Sequence, residues 1–169
     1  MSYQDALQKH YILEDEMKFM GVQGDYGFHH QAKFMNACGQ STKHFNMLQL
    51  QLYTKLVLEE TKKLVEAMEK ILAGIGEGKP VHQADVAEVL DAAGDIIVVA
   101  GGVAFSAGID PQKILKRVWA TNLAKLGPNG ECIRREDGKI LKPAGWEPPQ
   151  FGDLAYKALN PIATQEGAF

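Results

Sequence analysis

Apolar residues recur at the three- and four-residue spacing of amphipathic helices in separate segments of this chain. In the longest segment Leu56, Leu64 and Ile71 share one apolar stripe. Glycines and prolines interrupt the pattern, and no segment reads as a central strand. We therefore expect an all-α bundle of four to five helices. The predicted helices span roughly residues 3–20, 29–38, 44–72, 84–107 and 110–126.

The pattern changes after residue 126. Gly127-Pro128-Asn129-Gly130 and Asp137-Gly138 are turn signals, and they predict a short hairpin between Ile133 and Ile140. Four later prolines predict an irregular tail that leans on another subunit or on a substrate site. We assign 1–126 as a helical domain and 127–169 as the hairpin and tail of the same domain.

Length and charge restrict the function classes. The 169 residues suit one domain, and 18 basic against 21 acidic residues leave a net charge of −3, so no large nucleic-acid surface is expected. The apolar stretch over 96–107 is too short to span a bilayer, and the N-terminal residues show no apolar signal core. Cys38 and Cys132 lack metal-ligand spacing. We expect a cytoplasmic protein without membrane or nucleic-acid partners.

Three acids share one side of the fourth predicted helix. At about 100° per residue, Glu88 lies about 20° from Asp95, and Asp91 lies one turn before it. Like charges at these spacings repel, and a hard divalent cation such as Mg²⁺ or Mn²⁺ would relieve the repulsion. The alternative is a solvated acidic face. Asp95 directly precedes Ile96-Ile97-Val98-Val99, so we expect its surroundings to be apolar and crowded.

A second acidic group lies on the long central helix. Glu60 is only about 40° from Leu56 and from Leu64, which places it within the apolar stripe. A carboxylate there must be bound to a metal or paired in a buried salt bridge. Glu59 and Glu66 flank the stripe, where either a site role or a solvated surface role fits them.

Four ordered segments carry a family resemblance: Leu58–Leu64, Glu88–Val99, Gly108–Asp110 with Trp119–Leu126, and Arg135–Lys142 with Gly145–Pro149. They are similar to the MazG and phosphoribosyl-ATP pyrophosphohydrolase superfamily of all-α nucleoside triphosphate pyrophosphohydrolases. The similarity covers roughly residues 45 to 150. It points to the bacterial and phage branch, which has a C-terminal hairpin.

The resemblance implies Mg²⁺-dependent hydrolysis of a (deoxy)nucleoside triphosphate to the monophosphate and pyrophosphate, by attack of water on the α-phosphorus. Two helices alone cannot easily enclose a triphosphate and its metals, and amphipathic helices favour association, so we also expect a homodimer or homotetramer whose subunits complete each other's sites. The resemblance assigns Glu60, Asp91 and Asp95 as principal metal ligands and Glu88 as a supporting one. Glu59 becomes the candidate base or a further ligand. Asn122 and Lys125 match the family's recognition pair, the alternative being an ordinary helix C-terminus. Lys139 and Lys142 either close over the triphosphate or are solvated, and Lys63 is the fifth substrate-binding candidate.

The chain departs from the family pattern at two positions. Lys63 stands where the family has a third Glu, so either Glu66 replaces that ligand or Lys63 contacts phosphate directly. Ala92 stands where an acid is commonest, with Asp91 one position earlier. Two rival functions follow: a related pyrophosphohydrolase acting on phosphoribosyl-ATP or an alarmone, and a degenerate, non-catalytic nucleotide-binding homologue. Trp119 is either a base-stacking residue or a core residue.

Overall fold

A computed structural model describes residues 28–127 and 129–160, and the helix predicted over 3–20 lies outside these ranges. Within them the protein is all-α, as predicted, with no β-strand. The five helices are α1 (Phe28–Ala37), α2 (Met47–Gly76), α3 (Gln83–Ser106), α4 (Pro111–Leu123) and α5 (Gly152–Leu159).

Local capping sets the helix boundaries. Asp110 caps α4, its carboxylate accepting a hydrogen bond from the Gln112 backbone N–H at 2.9 Å, with Pro111 in the first turn as predicted. α2 continues through Gly74 to Gly76, beyond its predicted end near residue 72. Gly78, at φ +73°, follows the C-cap of α2, and its N–H donates to the Ile75 carbonyl at 3.0 Å. The left-handed glycine after the C-cap ends the helix.

α2 and α3 form an antiparallel pair at the centre of the fold. The Lys70 ammonium lies 2.9 Å from the Asp85 carboxylate near the connecting loop. At the other end, the Gln49 amide donates to the Ser106 hydroxyl at 3.2 Å. Between these contacts Tyr53 covers Gly102, where a Cβ would lie 1.8 Å from the ring. Close helix packing therefore accounts for the glycine within α3.

α1 packs across the C-terminal half of α3. The Gln31 side chain donates to the Val98 carbonyl at 2.5 Å, and a Cβ at Gly101 would lie 2.3 Å from the Gln31 amide oxygen. Met35 is fully buried and forms the core with Tyr53 and residues of α3. The core thus lies where α1, α2 and α3 meet.

The hairpin prediction is confirmed as a tight turn with one antiparallel bridge, Arg134 to Ile140. The irregular-tail prediction is wrong over residues 152–159, which form α5. Asp153 in its first turn and Lys157 in its last complement the helix dipole. The Arg117 guanidinium of α4 donates to both Asp153 carboxylate oxygens, at 2.5 and 2.6 Å. This part of the tail therefore leans on its own chain.

In the part of the chain that the structure describes, α3 is the one helix long and apolar enough to cross a membrane, by length and composition alone. One such helix is weak evidence, because the core helix of a soluble protein passes the same test. α3 contacts α1, α2 and α4, and 39% of its apolar window is buried. That the protein has no membrane partner stays a prediction.

Candidate functional site

Glu60 of α2 and Asp95 of α3 lie at the same level of the central pair. Ten residues separate Glu60 from Lys70, and ten separate Asp95 from Asp85, the partner of Lys70. The contact between Tyr53 and Gly102 lies seven residues away in the other direction on each helix. Because both helices rise about 1.5 Å per residue, these contacts place Glu60 opposite Asp95.

The predicted acids of both helices also lie on one side of the pair. Glu60 and Ala92 are buried where the two helices face each other. Glu59 and Asp91 directly precede them, so each is rotated about 100° in the same sense from the facing direction. In an antiparallel pair, equal rotations of this kind point to the same side. That side carries Glu59, Lys63, Glu66 and Lys70 from α2, and Glu88, Asp91 and Asp95 from α3.

Glu60 is the buried acid between the two helices, next to this side, with 8% of its surface exposed. The Lys63 ammonium contacts one carboxylate oxygen, Oε1, at 3.0 Å and also reaches Glu59 at 3.1 Å. The hydrogen bond to Glu60, and to a smaller extent the one to Glu59, raises the pKa of Lys63. The other oxygen, Glu60 Oε2, is buried and has no hydrogen-bond partner among the described residues. The salt-bridge alternative is therefore present, yet it satisfies only half of the carboxylate.

Glu88 already has a cationic partner. Lys70 lies 2.8 Å from Glu88 and 2.9 Å from Asp85, contacts that raise the pKa of Lys70. The hydrogen bond from Lys70 also lowers the pKa of Asp85. Glu88 lies seven residues before Asp95, about 10 Å along the helix axis. Its position therefore suits a supporting role better than direct contact with a metal ion held at Asp95.

Asp91 and Asp95 are exposed and make no hydrogen bond or ion pair within residues 28–127 and 129–160. The expectation of crowded apolar surroundings for Asp95 is wrong, since the nearby Ile97 and Val98 side chains are 60% and 50% exposed. These side chains stay exposed in the part of the chain that the structure describes. Across the same ranges, no three His, Cys, Asp or Glu residues form a group suited to hold a metal. The metal-ligand set stays a prediction.

A second group of predicted residues assembles at the end of α4. The Lys125 ammonium donates to the Asn122 side-chain carbonyl at 2.7 Å and lies 5.3 Å from the Trp146 ring centroid. The Lys142 ammonium lies 4.3 Å from the same centroid. The side chain of Lys139 forms no hydrogen bond or ion pair with this group or with any other described residue. The structure therefore brings together three of these four predicted residues.

Two tryptophans change the picture drawn from sequence. Trp119 is 60% exposed, so the core alternative for it is wrong. Trp146 was not among the predicted site residues, although it lies within the quoted segment Gly145–Pro149. The signal that would have found it is its spacing from Lys142, four residues earlier, combined with the intervening Pro and Gly.

No protein-family model matches this chain, and a search of curated proteins found no significant match. The resemblance to the pyrophosphohydrolase superfamily therefore rests on the four quoted sequence segments. The all-α architecture is consistent with it.

Proposed function

We propose that this protein is a metal-dependent nucleoside triphosphate pyrophosphohydrolase with a MazG-like helical bundle. One observation carries the proposal: Glu60 Oε2 is buried without a hydrogen-bond partner in the described chain, at the level of the unpaired Asp95. A buried, unsatisfied polar atom costs about 1–3 kcal/mol. Mg²⁺ and Mn²⁺ bind carboxylate oxygens, so a divalent cation would satisfy this one.

The donor set fits a hard cation in its chemistry. Glu60, buried between the helices, and Asp91 and Asp95, on the adjoining side of the pair, are the carboxylates that would hold the ion, with Glu88 supporting it. When bound, the ion lowers the pKa of coordinated water and neutralises charge on the phosphates. Lys63 is the group that must yield, because it already donates to Glu60. If the Lys63 ammonium moved toward a phosphate, it would release the carboxylates of both Glu59 and Glu60.

The remaining roles belong to the chain's own side chains. Glu59 accepts the proton of the attacking water, whose oxygen bonds to the α-phosphorus. The bond from the α-phosphorus to its bridging oxygen breaks, and pyrophosphate leaves. Asn122 binds the base edge or ribose, since its amide N–H₂ donates while its carbonyl is engaged by Lys125. Lys125, Lys139 and Lys142 neutralise phosphate oxygens.

The test is incubation with all common dNTPs and NTPs plus Mg²⁺ or Mn²⁺, resolving monophosphate plus pyrophosphate from diphosphate plus phosphate. We expect the former products, loss of turnover with a chelator, and at least a hundredfold loss in Asp95→Asn. Glu69→Gln is the matched control, because Glu69 is an exposed acid that lies about 180° around α2 from Glu60. Production of diphosphate, or full activity of Asp95→Asn, would reject the proposal.

A second candidate is a non-catalytic nucleotide-binding homologue. The observation that favours it is the Lys63 ammonium lying between Glu59 and Glu60, where it replaces part of the positive charge that a metal would bring. Nucleotide binding without turnover across the panel would support it. The panel also includes phosphoribosyl-ATP and a guanosine tetraphosphate, so turnover confined to one of these would identify the related pyrophosphohydrolase.

A further inference from the structure

Trp146 holds two lysine side chains from different segments on a single ring. The ammonium of Lys142, from the hairpin, lies 4.3 Å from the ring centroid, and that of Lys125, after α4, lies 5.3 Å from it. The negative face of an indole attracts cations at such distances. The Trp146 indole N–H donates to the Thr121 carbonyl at 2.7 Å, which fixes the ring against the last turn of α4.

A tight turn returns Lys142 to this ring. The Trp146 backbone N–H donates to the Pro143 carbonyl at 3.1 Å, which closes a four-residue β-turn. Gly145, third in the turn, has φ +78°, the left-handed value that type II turns require at this position. The sequence Pro-Ala-Gly-Trp thus folds back so that Lys142 and Trp146 meet.

The paired lysines have no acidic partner. The two lysine nitrogens lie 5.3 and 4.3 Å from one ring centroid, so at most about 10 Å separates them. That distance does not exceed the Debye length at 0.1 M salt, so the two charges repel each other. Neither forms an ion pair within the described ranges. Both line a cavity of ≈ 100 Å³ together with Glu131, whose carboxylate pairs with neither. An anion between the ammonium groups would remove the repulsion.

We propose that Trp146 is a positioning residue that holds Lys125 and Lys142 as a binding site for the phosphate oxygens of an anionic ligand. Identifying that ligand as the polyphosphate of a nucleotide rests on the function proposed above. Trp146 acts through the two lysines, which make the charge-assisted hydrogen bonds to the ligand. The ring lowers the cost of keeping two like charges close together before the ligand arrives.

Pyrophosphate titration in metal-free, chelator-containing buffer tests the site without any metal centre. In a Trp119→Phe background, Trp146 is the one tryptophan left, and its emission, excited selectively over the five tyrosines, should change saturably with pyrophosphate. Lys142→Gln and Lys125→Gln should each weaken binding about tenfold. Lys113→Gln, an exposed lysine at the other end of α4, is the matched charge control and should stay within twofold. No saturable change, or equal weakening by the control, overturns the proposal.

Turnover supplies the second readout. Trp146→Leu should raise KM for the nucleotide about tenfold and leave kcat within threefold, while Trp146→Phe, which keeps an aromatic face, should retain most of the affinity. Circular dichroism checks that both variants keep wild-type helix content. An unchanged KM in Trp146→Leu rejects the positioning role even if the enzyme is active. Pyrophosphate binding without any turnover keeps this site and rejects the proposed function.

Discussion

Tyr53 of α2 occupies the space that a side chain at Gly102 of α3 would need, with 1.8 Å between the ring and a Cβ built at that glycine. The Tyr53 ring is buried, which raises the pKa of its hydroxyl, and that hydroxyl donates to the Gln40 side chain at 2.9 Å. The contact holds α2 and α3 in register. It therefore also sets Glu60 opposite Asp95, seven residues away on each helix.

Gly102→Ala should lower the free energy of unfolding by at least about 2 kcal/mol, because the new methyl group cannot coexist with the ring of Tyr53. The loss should exceed the gain of about 1 kcal/mol that alanine brings to a helix interior. Gly94→Ala is the matched control on the same helix, since nothing lies within 4 Å of a Cβ there, and it should stabilise the chain. Urea unfolding followed by circular dichroism measures both. Wild-type stability of Gly102→Ala would contradict the close packing.

Lys63→Met should lower the Tm of the metal-free protein, because buried Glu60 loses its counter-ion. If Glu60 is a metal ligand, the same change should strengthen Mg²⁺ binding about tenfold, because the ammonium no longer competes for it. Thermal unfolding across a Mg²⁺ titration measures both effects. Lys62→Met, which removes an exposed pair with Glu66, should change neither. An identical Mg²⁺ response in wild type and Lys63→Met would argue against the metal role of Glu60.

Acid should weaken the attachment of α5 through Asp153. The Arg117 guanidinium lowers the pKa of Asp153 from 3.8 to about 2, so the ion pair stabilises the fold fully above pH 3.8 and less as the pH falls towards 2. The difference in Tm between wild type and Asp153→Asn should be constant from pH 7 to about 4. It should then shrink, because Asp153 of the wild type is protonated and its ion pair with Arg117 is lost. Glu147→Gln serves as the control, and a difference that grew at low pH would reverse the predicted sign.

Exposed apolar residues on the outer faces of the central pair predict association. Leu58, Val65 and Leu72 recur every seven residues along α2, and Leu90 and Ile97 do so along α3, all without cover in the described chain. We expect a homodimer or homotetramer that sediments well above 18.6 kDa. Ile97→Asp should shift it towards monomer, whereas Leu159→Asp, at an equally exposed residue of α5, should not. A wild-type monomer at matched concentration would refute association.

Several features of the fold and site follow from short-range pattern alone. The Asp110-Pro111 start of α4 is set by a cap within one turn, and the periodic apolar residues of α2 place Glu60 on its buried stripe. These features depend on atoms a few residues apart, and so they can be read along the chain. The turn at Asp137-Gly138 is of the same kind, because its hydrogen bonds close within a few residues.

Other features depend on which distant segments pack together. The exposure of Asp95, the register of α2 against α3, and the meeting of Lys125 with Trp146 all join residues far apart in sequence. α5 is the clearest example, because an ion pair between its Asp153 and Arg117 of α4 attaches it to the fold. Periodicity predicts which face of a helix is apolar, but only the packing of the whole chain decides which part of that face is covered. For that reason the sequence by itself determined α1 to α4 and the acids they carry, and the tertiary structure decided α5 and the partners of these acids.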